Sequence, residues 1–222
     1  METLLLFAMV LGFLFVGAPV GLSLGLSSIL YVSIFTNESL SSVAISLFGV
    51  GTHYTLLAIP FFMFVGEIMN HGGIAKRLVN FADAIVGHIT GGLGHVNILA
   101  SMFFGGISGS SVADVSSIGS IMIPMMEKKG FDKDYSINVT ITSSVQGIII
   151  PPSHNMIIYS LAAGGGISVA KLFLGGIVPG VLLGIALMIL SYAIAVKRGY
   201  PREEKVSFKK AARAFKLATS FS

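Results

Sequence analysis

Apolar residues in this chain fall in long uncharged runs, separated by short polar pieces. The first run extends from Leu4 to Phe35, 32 residues without a charge. A straight helix of that length would measure about 48 Å, against ~30 Å for a bilayer's hydrocarbon core. Gly17-Ala18-Pro19 sits near its middle, so one kinked, tilted helix is expected, with two short helices as the other solution. Ala44 to Gly66 reads as a single span, and residues 1–73 together as scaffold-like transmembrane helices. From Ile74 to His88 the pattern changes. Ile74, Leu78, Phe81, Ala82 and Ile85 recur at helical spacing, with Lys76, Arg77, Asn80 and Asp83 opposite them. That predicts an amphipathic helix over 74–88, lying at a membrane surface or packed on protein as an ordinary loop helix.

The next run, Ile89 to Met126, is uncharged except for Asp114 and is interrupted by Gly105-Gly106-Ile107-Ser108-Gly109-Ser110-Ser111, a poor helix interior. Its two flanks are short for full spans, so a re-entrant helical hairpin over 89–127 is expected. Residues 135–170 form another uncharged run, broken by Pro151-Pro152, and with the hairpin they make a transport-type segment, 89–170. Residues 171–196 give a final span, and 197–222 a basic cytoplasmic segment.

Charge then orients these pieces. Thirteen of the 14 basic residues lie at Lys76-Arg77, at Lys128, Lys129 and Lys133, or from Lys197 to Lys216; Lys171 is the exception. Placing those segments in the cytoplasm satisfies the positive-inside rule, provided that 89–126 returns to its own side, with the loop around Asn37 outside. The start, Met1-Glu2-Thr3, lacks the basic region of a secretory signal, so the first run is expected to stay as a span.

Composition narrows the class. Only 11% of residues are charged, 54% are hydrophobic, and mean hydropathy is +0.87. An average soluble domain carries ~25% charged residues, so this is an all-α, multi-spanning membrane protein. The net charge of +4 is clustered between apolar runs rather than spread over a face, which excludes a nucleic-acid binder. Cysteine is absent, and with it disulfides, thiolate metal sites and cysteine nucleophiles.

Function is expected at the two breaks, because irregular backbone in hydrocarbon is tolerated only inside protein or along a cavity. Ser111-Val-Ala-Asp114 has capping-box spacing, so a helix starting there would aim its N–H groups toward Ser108-Gly109-Ser110. At the second break Pro151 and Pro152 have no N–H, so the carbonyls of Gly147 and Ile148 lose their helical donors. Those oxygens, with the hydroxyls of Ser108, Ser110 and Ser111, suit a hard cation such as Na⁺. Paired broken helices of this kind occur in secondary transporters, where unwound carbonyls bind Na⁺ and half-helix N-termini face an anionic substrate. On the simpler reading, Gly-Ser clusters mark close helix packing, which would leave a non-transporting membrane scaffold. Asp114 is then only a cap, and His154 a hydrogen-bonded structural histidine. Gly106-Ile107-Ser108-Gly109 also fits the G-x-S-G of rhomboid intramembrane proteases, with Ser108 as nucleophile and His154 as its base.

The motifs resemble those of a known family. Gly91-Gly92-Leu93-Gly94-His95-Val96-Asn97, the run from Gly105 to Asp114, Ala58-Ile59-Pro60-Phe61-Phe62 with Gly66-Glu67, Ile150-Pro151-Pro152-Ser153, and Gly176-Ile177-Val178-Pro179-Gly180 look like the large membrane subunit of tripartite ATP-independent periplasmic (TRAP) transporters. The resemblance implies one repeat of an inverted-repeat, elevator-type ion transporter, in which a re-entrant hairpin and a broken helix build the sites. It implies Na⁺-driven import of organic acids such as C4-dicarboxylates or sialic acid across the bacterial inner membrane. The implied partners are a small membrane subunit, a periplasmic solute-binding protein and the absent second repeat. No enzymatic activity and no cofactor beyond the coupling ion are implied. Ion binding falls to Ser108, Gly109, Ser110, Ser111, Gly147, Ile148 and Pro151. Substrate binding falls to Ser110, Asp114, Pro152, Ser153 and Asn155. The family's subunit is about twice this length, so the chain is expected to hold the first repeat alone.

Overall fold

A glycine and a proline end the first helix. In the computed structural model, which describes residues 2–36, 39–52, 54–163 and 166–202, α1 (Glu2–Phe15) and α2 (Val20–Phe35) are separate helices. The single kinked helix expected over this run is therefore replaced by two. Gly17 takes φ +87°, with its N–H on Leu14 O and that of Ala18 on Phe13 O, the bonds of a Schellman end. Pro19 then starts a new helix and biases Ala18 away from helical backbone. Neither helix, at 14 and 16 residues, reaches the ~30 Å of a hydrocarbon core.

The chain divides into two units, Met1–Leu57 and Ala58–Ser222. The first holds α1, α2 and α3 (Leu40–Thr52), with α2 packed against both neighbours. The span expected over 44–66 covers the end of α3 and most of α4 (Tyr54–His71); position 53 between them lies outside the described residues. So do Asn37 and the basic segment from position 203 onward.

The second unit is organised around two helices, α6 (Gly92–Ser108) and α7 (Ser111–Lys128), which run back alongside one another. Asn97 near the start of α6 reaches Met126 Sδ near the end of α7, at 3.8 Å. Ile98, Ala100, Phe104, Ile118, Met122 and Met126 form the shared core. The amphipathic helix forms as α5 (Ile74–Val86) and packs on α6 and α7; of the expected stripe Ile74 and Ala82 are buried, beside Ala75 and Val79, while Leu78 and Phe81 are half-buried and Ile85 is exposed. α8 (Lys133–Ser144) lies along both arms of the pair, α9 (Gln146–Ile149) continues it, and α10 (His154–Ala162) follows after four non-helical residues.

α11 (Val169–Arg198) has 30 residues, about 45 Å, and is the one described helix long and apolar enough to cross a membrane unaided. Gly176, Gly180, Gly184, Ser191 and Ala195 are its buried stripe, while Leu174, Val178, Leu182, Ile185 and Ile189 are exposed. Small residues let the helix approach its neighbours closely, as membrane helices do. A methyl added at Gly176 would fall 2.4 Å from Ile149 O, and one at Gly184 2.6 Å from Met102 Sδ.

One end of this unit is closed by polar side chains. Arg198 at the end of α11 donates to Asp132 (2.8 Å) and Asp134 (3.1 Å), and Tyr200 donates to Asp132 at 2.7 Å. Phe131, Tyr135 and Tyr200 stack beside them, and the Gly91 N–H donates to Pro201 O. The start of α6, the turn between α7 and α8, and the end of α11 thus meet at one place.

Candidate functional site

At the opposite end of the α6–α7 pair the backbone turns in two residues. Gly109 takes φ +61° and returns its N–H to Gly105 O, and Ser110 is extended. The Ser110 hydroxyl accepts from Ala113 N at 3.3 Å, so Ser110 caps α7, one residue before the cap expected at Ser111. The extended residue that follows a left-handed glycine is the natural N-cap, which fixes this register. Ser108 Oγ accepts from Ser110 N at 3.4 Å. Ser111 is released to pair with Ser144 Oγ at 2.7 Å, tying the turn to the end of α8.

The second break lies against this turn. Between α9 and α10, residues 150–153 are outside helix, and the Pro151–Pro152 bond is cis. A methyl at Gly109 would sit 2.7 Å from Pro152 O, and one at Gly105 2.5 Å from Gly147 Cα. Glycine is required at both, since backbone lies where a side chain would go. The carbonyl of Ile148, expected without a partner, accepts from Ser153 Oγ at 2.7 Å, because the residues after the prolines fold back over the end of α9. That leaves Gly147 as the carbonyl deprived of its helical donor by Pro151.

A cavity of about 120 Å³ opens beside the turn. Ser108 and Ser110 line it, together with Ser117, Phe104 and Ala113 of the α6–α7 pair, Met63, Gly66 and Glu67 of α4, and His154. Gly109, Gly147 and Pro152 form the contact behind the turn. Ser153 is buried on Ile148, and Asn155 is exposed on α10 away from the cavity lining. Asp114 is fully buried beside Ser101; neither carboxylate oxygen has a hydrogen-bond partner among the described residues. It faces the core rather than the cavity.

Three further lining residues carry polar groups: His154, named above only as a structural histidine or a protease base, Ser117 and Glu67. The backbone of His154 lies against Gly109, and its ring sits edge-on to Phe62, with ring centroids 6.4 Å apart. Ser117 follows Ser110 by seven residues and Asp114 by three, a helical spacing visible in the sequence. Glu67 is exposed and pairs with His71 at 3.4 Å. At the far end, Tyr200 and Arg198 hold the Asp132 carboxyl below the usual carboxylate range, and Arg198 does the same for Asp134.

The comparisons with known proteins agree with the motifs. The family model for the tripartite ATP-independent periplasmic transporter, DctM component, matches residues 7–221. The C4-dicarboxylate TRAP transporter large permease protein DctM of Vibrio cholerae is 45% identical over 220 residues, 99% of this chain and 48% of that protein. The sialic acid TRAP transporter permease protein SiaT of Haemophilus influenzae is 43% identical over 91% of this chain and 33% of its own length. The isethionate TRAP transporter permease protein DctMQ of Oleidesulfovibrio alaskensis is 39% identical over 86% of this chain and 30% of its own. The chain thus spans half or less of these relatives. They are permeases, not enzymes, and the Ser108 hydroxyl bonds to the Ser110 backbone, so the protease reading has no support. By this match over nearly its whole length, the chain belongs to the DctM family of TRAP transporter large permease components.

Proposed function

We propose that this chain forms the first half of a Na⁺-driven, binding-protein-dependent permease importing organic acids across the bacterial inner membrane. In this reading α6 and α7 are the re-entrant hairpin, α8 to α10 the Pro-broken helix, and α5 the arm at the cytoplasmic surface of an elevator-type inverted repeat. The small membrane subunit, the periplasmic solute-binding protein and a second repeat complete the assembly. C4-dicarboxylates and sialic acid, named for its relatives, are the first acids to try.

The observation that carries this reading is the contact between the two breaks. Gly105 on Gly147 and Gly109 on Pro152 bring hydroxyls, freed carbonyls and the start of α7 together where side chains are excluded. Ser108, Gly109, Ser110, Ser111, Gly147, Ile148 and Pro151 supply oxygens for Na⁺; Ile148 keeps one lone pair beyond its bond to Ser153. Ser110 and Pro152 lie on the substrate side, with Asp114, Ser153 and Asn155 as a supporting shell. The closed end with Arg198 gathers Lys128, Lys129, Lys133 and Lys197 nearby in sequence, which suits the cytoplasmic face.

Reconstitution tests it. The complete permease carrying this chain, with small subunit and binding protein in proteoliposomes, is expected to take up succinate or sialic acid only with an inward Na⁺ gradient. Residues 1–222 in the same vesicles are expected to give none. Uptake independent of Na⁺, or uptake by residues 1–222 alone, would overturn the proposal.

A further inference from the structure

Among the described residues lining the cavity beside the turn, Glu67 alone carries a carboxylate. Water and ions reach it: its side chain is 68% exposed, and that of its partner His71 is 77% exposed. The packing of α4 sets how far this charge stands from the turn. Gly66 rests on Ser108, where a methyl added to the glycine would lie 3.6 Å from Ser108 Cα. Glu67 is the next residue along, so bond lengths put its Cα within about 9 Å of Ser108 Cα. The oxygens offered at the turn are hydroxyls and carbonyls, which hold a cation by short contacts but carry no net charge to draw one in. A carboxylate about 10 Å away favours a cation by a factor of about 2 in bulk water, and of about 15 at an effective dielectric near 20.

We propose that Glu67 is a cation-selecting residue at the edge of this cavity. Its charge raises the occupancy of the turn by Na⁺ and disfavours an organic anion that arrives without it. The proposal rests on the transporter reading above and deepens it. Glu67 acts through space rather than as a ligand of the ion, so what matters is its charge and its position. Position comes from the seat of Gly66 on Ser108, which leaves α4 no room to carry the carboxylate away from the turn while that contact holds. His71, one turn further along α4, meets the carboxylate at 3.4 Å and steadies the side chain.

The test is equilibrium binding of radiolabelled Na⁺ to the complete purified permease at low ionic strength. Glu67→Gln keeps the shape and removes the charge; it is expected to raise the Na⁺ concentration for half-saturation several-fold, within the range of about 2 to 15 given by the distance. Glu67→Asp keeps the charge and should stay close to the unaltered protein. Glu127→Gln removes a carboxylate at the far end of α7, about 24 Å of helix from Ser111, and should shift nothing. Choline chloride at about 1 M shortens the screening length to ~3 Å, so the Glu67→Gln shift should nearly vanish there, whereas a lost contact or a distorted fold would persist. The unaltered permease gives an independent reading, since its own Na⁺ affinity should weaken over the same salt range. No shift in Glu67→Gln, an equal shift in Glu127→Gln, a shift that survives high salt, or a salt-independent affinity in the unaltered protein would each overturn the role of Glu67. The two readings separate cleanly. Saturable Na⁺ binding that ignores Glu67 removes this role alone, whereas the absence of any saturable Na⁺ binding removes the transporter reading beneath it.

Discussion

The two ends of the α6–α7 pair solve the same problem with opposite materials. At the turn, the chain holds itself together with glycines, serine hydroxyls and backbone carbonyls. At the other end, an arginine, two aspartates and a stack of three aromatic rings join the start of α8 to the end of α11. The difference follows from the surroundings each end requires. A charge in hydrocarbon is expensive, so if the turn lies within a bilayer as proposed, close approach and hydroxyl pairs are the means of holding it. Ion pairs are cheap to keep where water reaches them, and there they serve geometry more than stability.

The largest effect should come from filling the glycine contact. Gly105→Leu places its Cβ 2.5 Å from Gly147 Cα, with backbone on both sides and nothing flexible to yield. We expect a loss of about 3 kcal/mol or more, read as a lowered melting midpoint of the solubilised permease together with abolished uptake. Gly12→Ala is the control: its new methyl meets nothing within 4 Å, so stability should hold or rise slightly. Equal damage from both would erase the distinction between the glycine-dependent contact and an ordinary apolar helix.

A smaller effect is expected at the serine pair. Ser111→Ala and Ser144→Ala, measured singly and together, should show a coupling of about 1 kcal/mol, because each hydroxyl is the other's partner at 2.7 Å. Strict additivity would mean that the turn is not tied to α8 through this bond.

The smallest effect belongs to the charged end. Asp132 and Asp134 have lowered pKa values, so the stability they contribute is fully present above the ordinary carboxylate range. It is lost only as pH falls through their depressed folded values. The clasp should therefore be flat from pH 5 to 8 and weaken below about pH 4. Arg198→Met should remove the Asp134 share of that acid dependence and part of the Asp132 share, which Tyr200 also holds, with little change at neutral pH. Acid sensitivity unchanged by Arg198→Met would show that the clasp is not its source.

Much of this architecture was legible from charge-free runs and breakers. The Gly-Ser run marked the turn, Pro151-Pro152 marked the second break, and the uncharged run over 171–196 marked α11. What escaped has physical reasons. Ser110 and Ser111 are adjacent, so either fits a cap, and the left-handed Gly109 decides between them in three dimensions. The stripe on α5 has the right period for any apolar partner, and periodicity does not say whether lipid or α6 covers it. His154 lines the cavity because the fold sets it against Gly109 and Phe62, 45 and 92 positions earlier in the chain, a proximity no local pattern encodes.

The central claim is that the turn and the second break together hold Na⁺. The most direct measurement is the Na⁺ concentration for half-maximal uptake by the complete permease, with Ser110→Ala compared against the unaltered protein. Ser110 is placed to contribute oxygen at the tip while capping α7. The account predicts that Ser110→Ala raises that concentration several-fold while membrane insertion stays intact, with Ser108→Ala and Ser111→Ala shifting it in the same direction. An unchanged Na⁺ requirement in all three variants would contradict it, and would return the glycine-serine turn to helix packing.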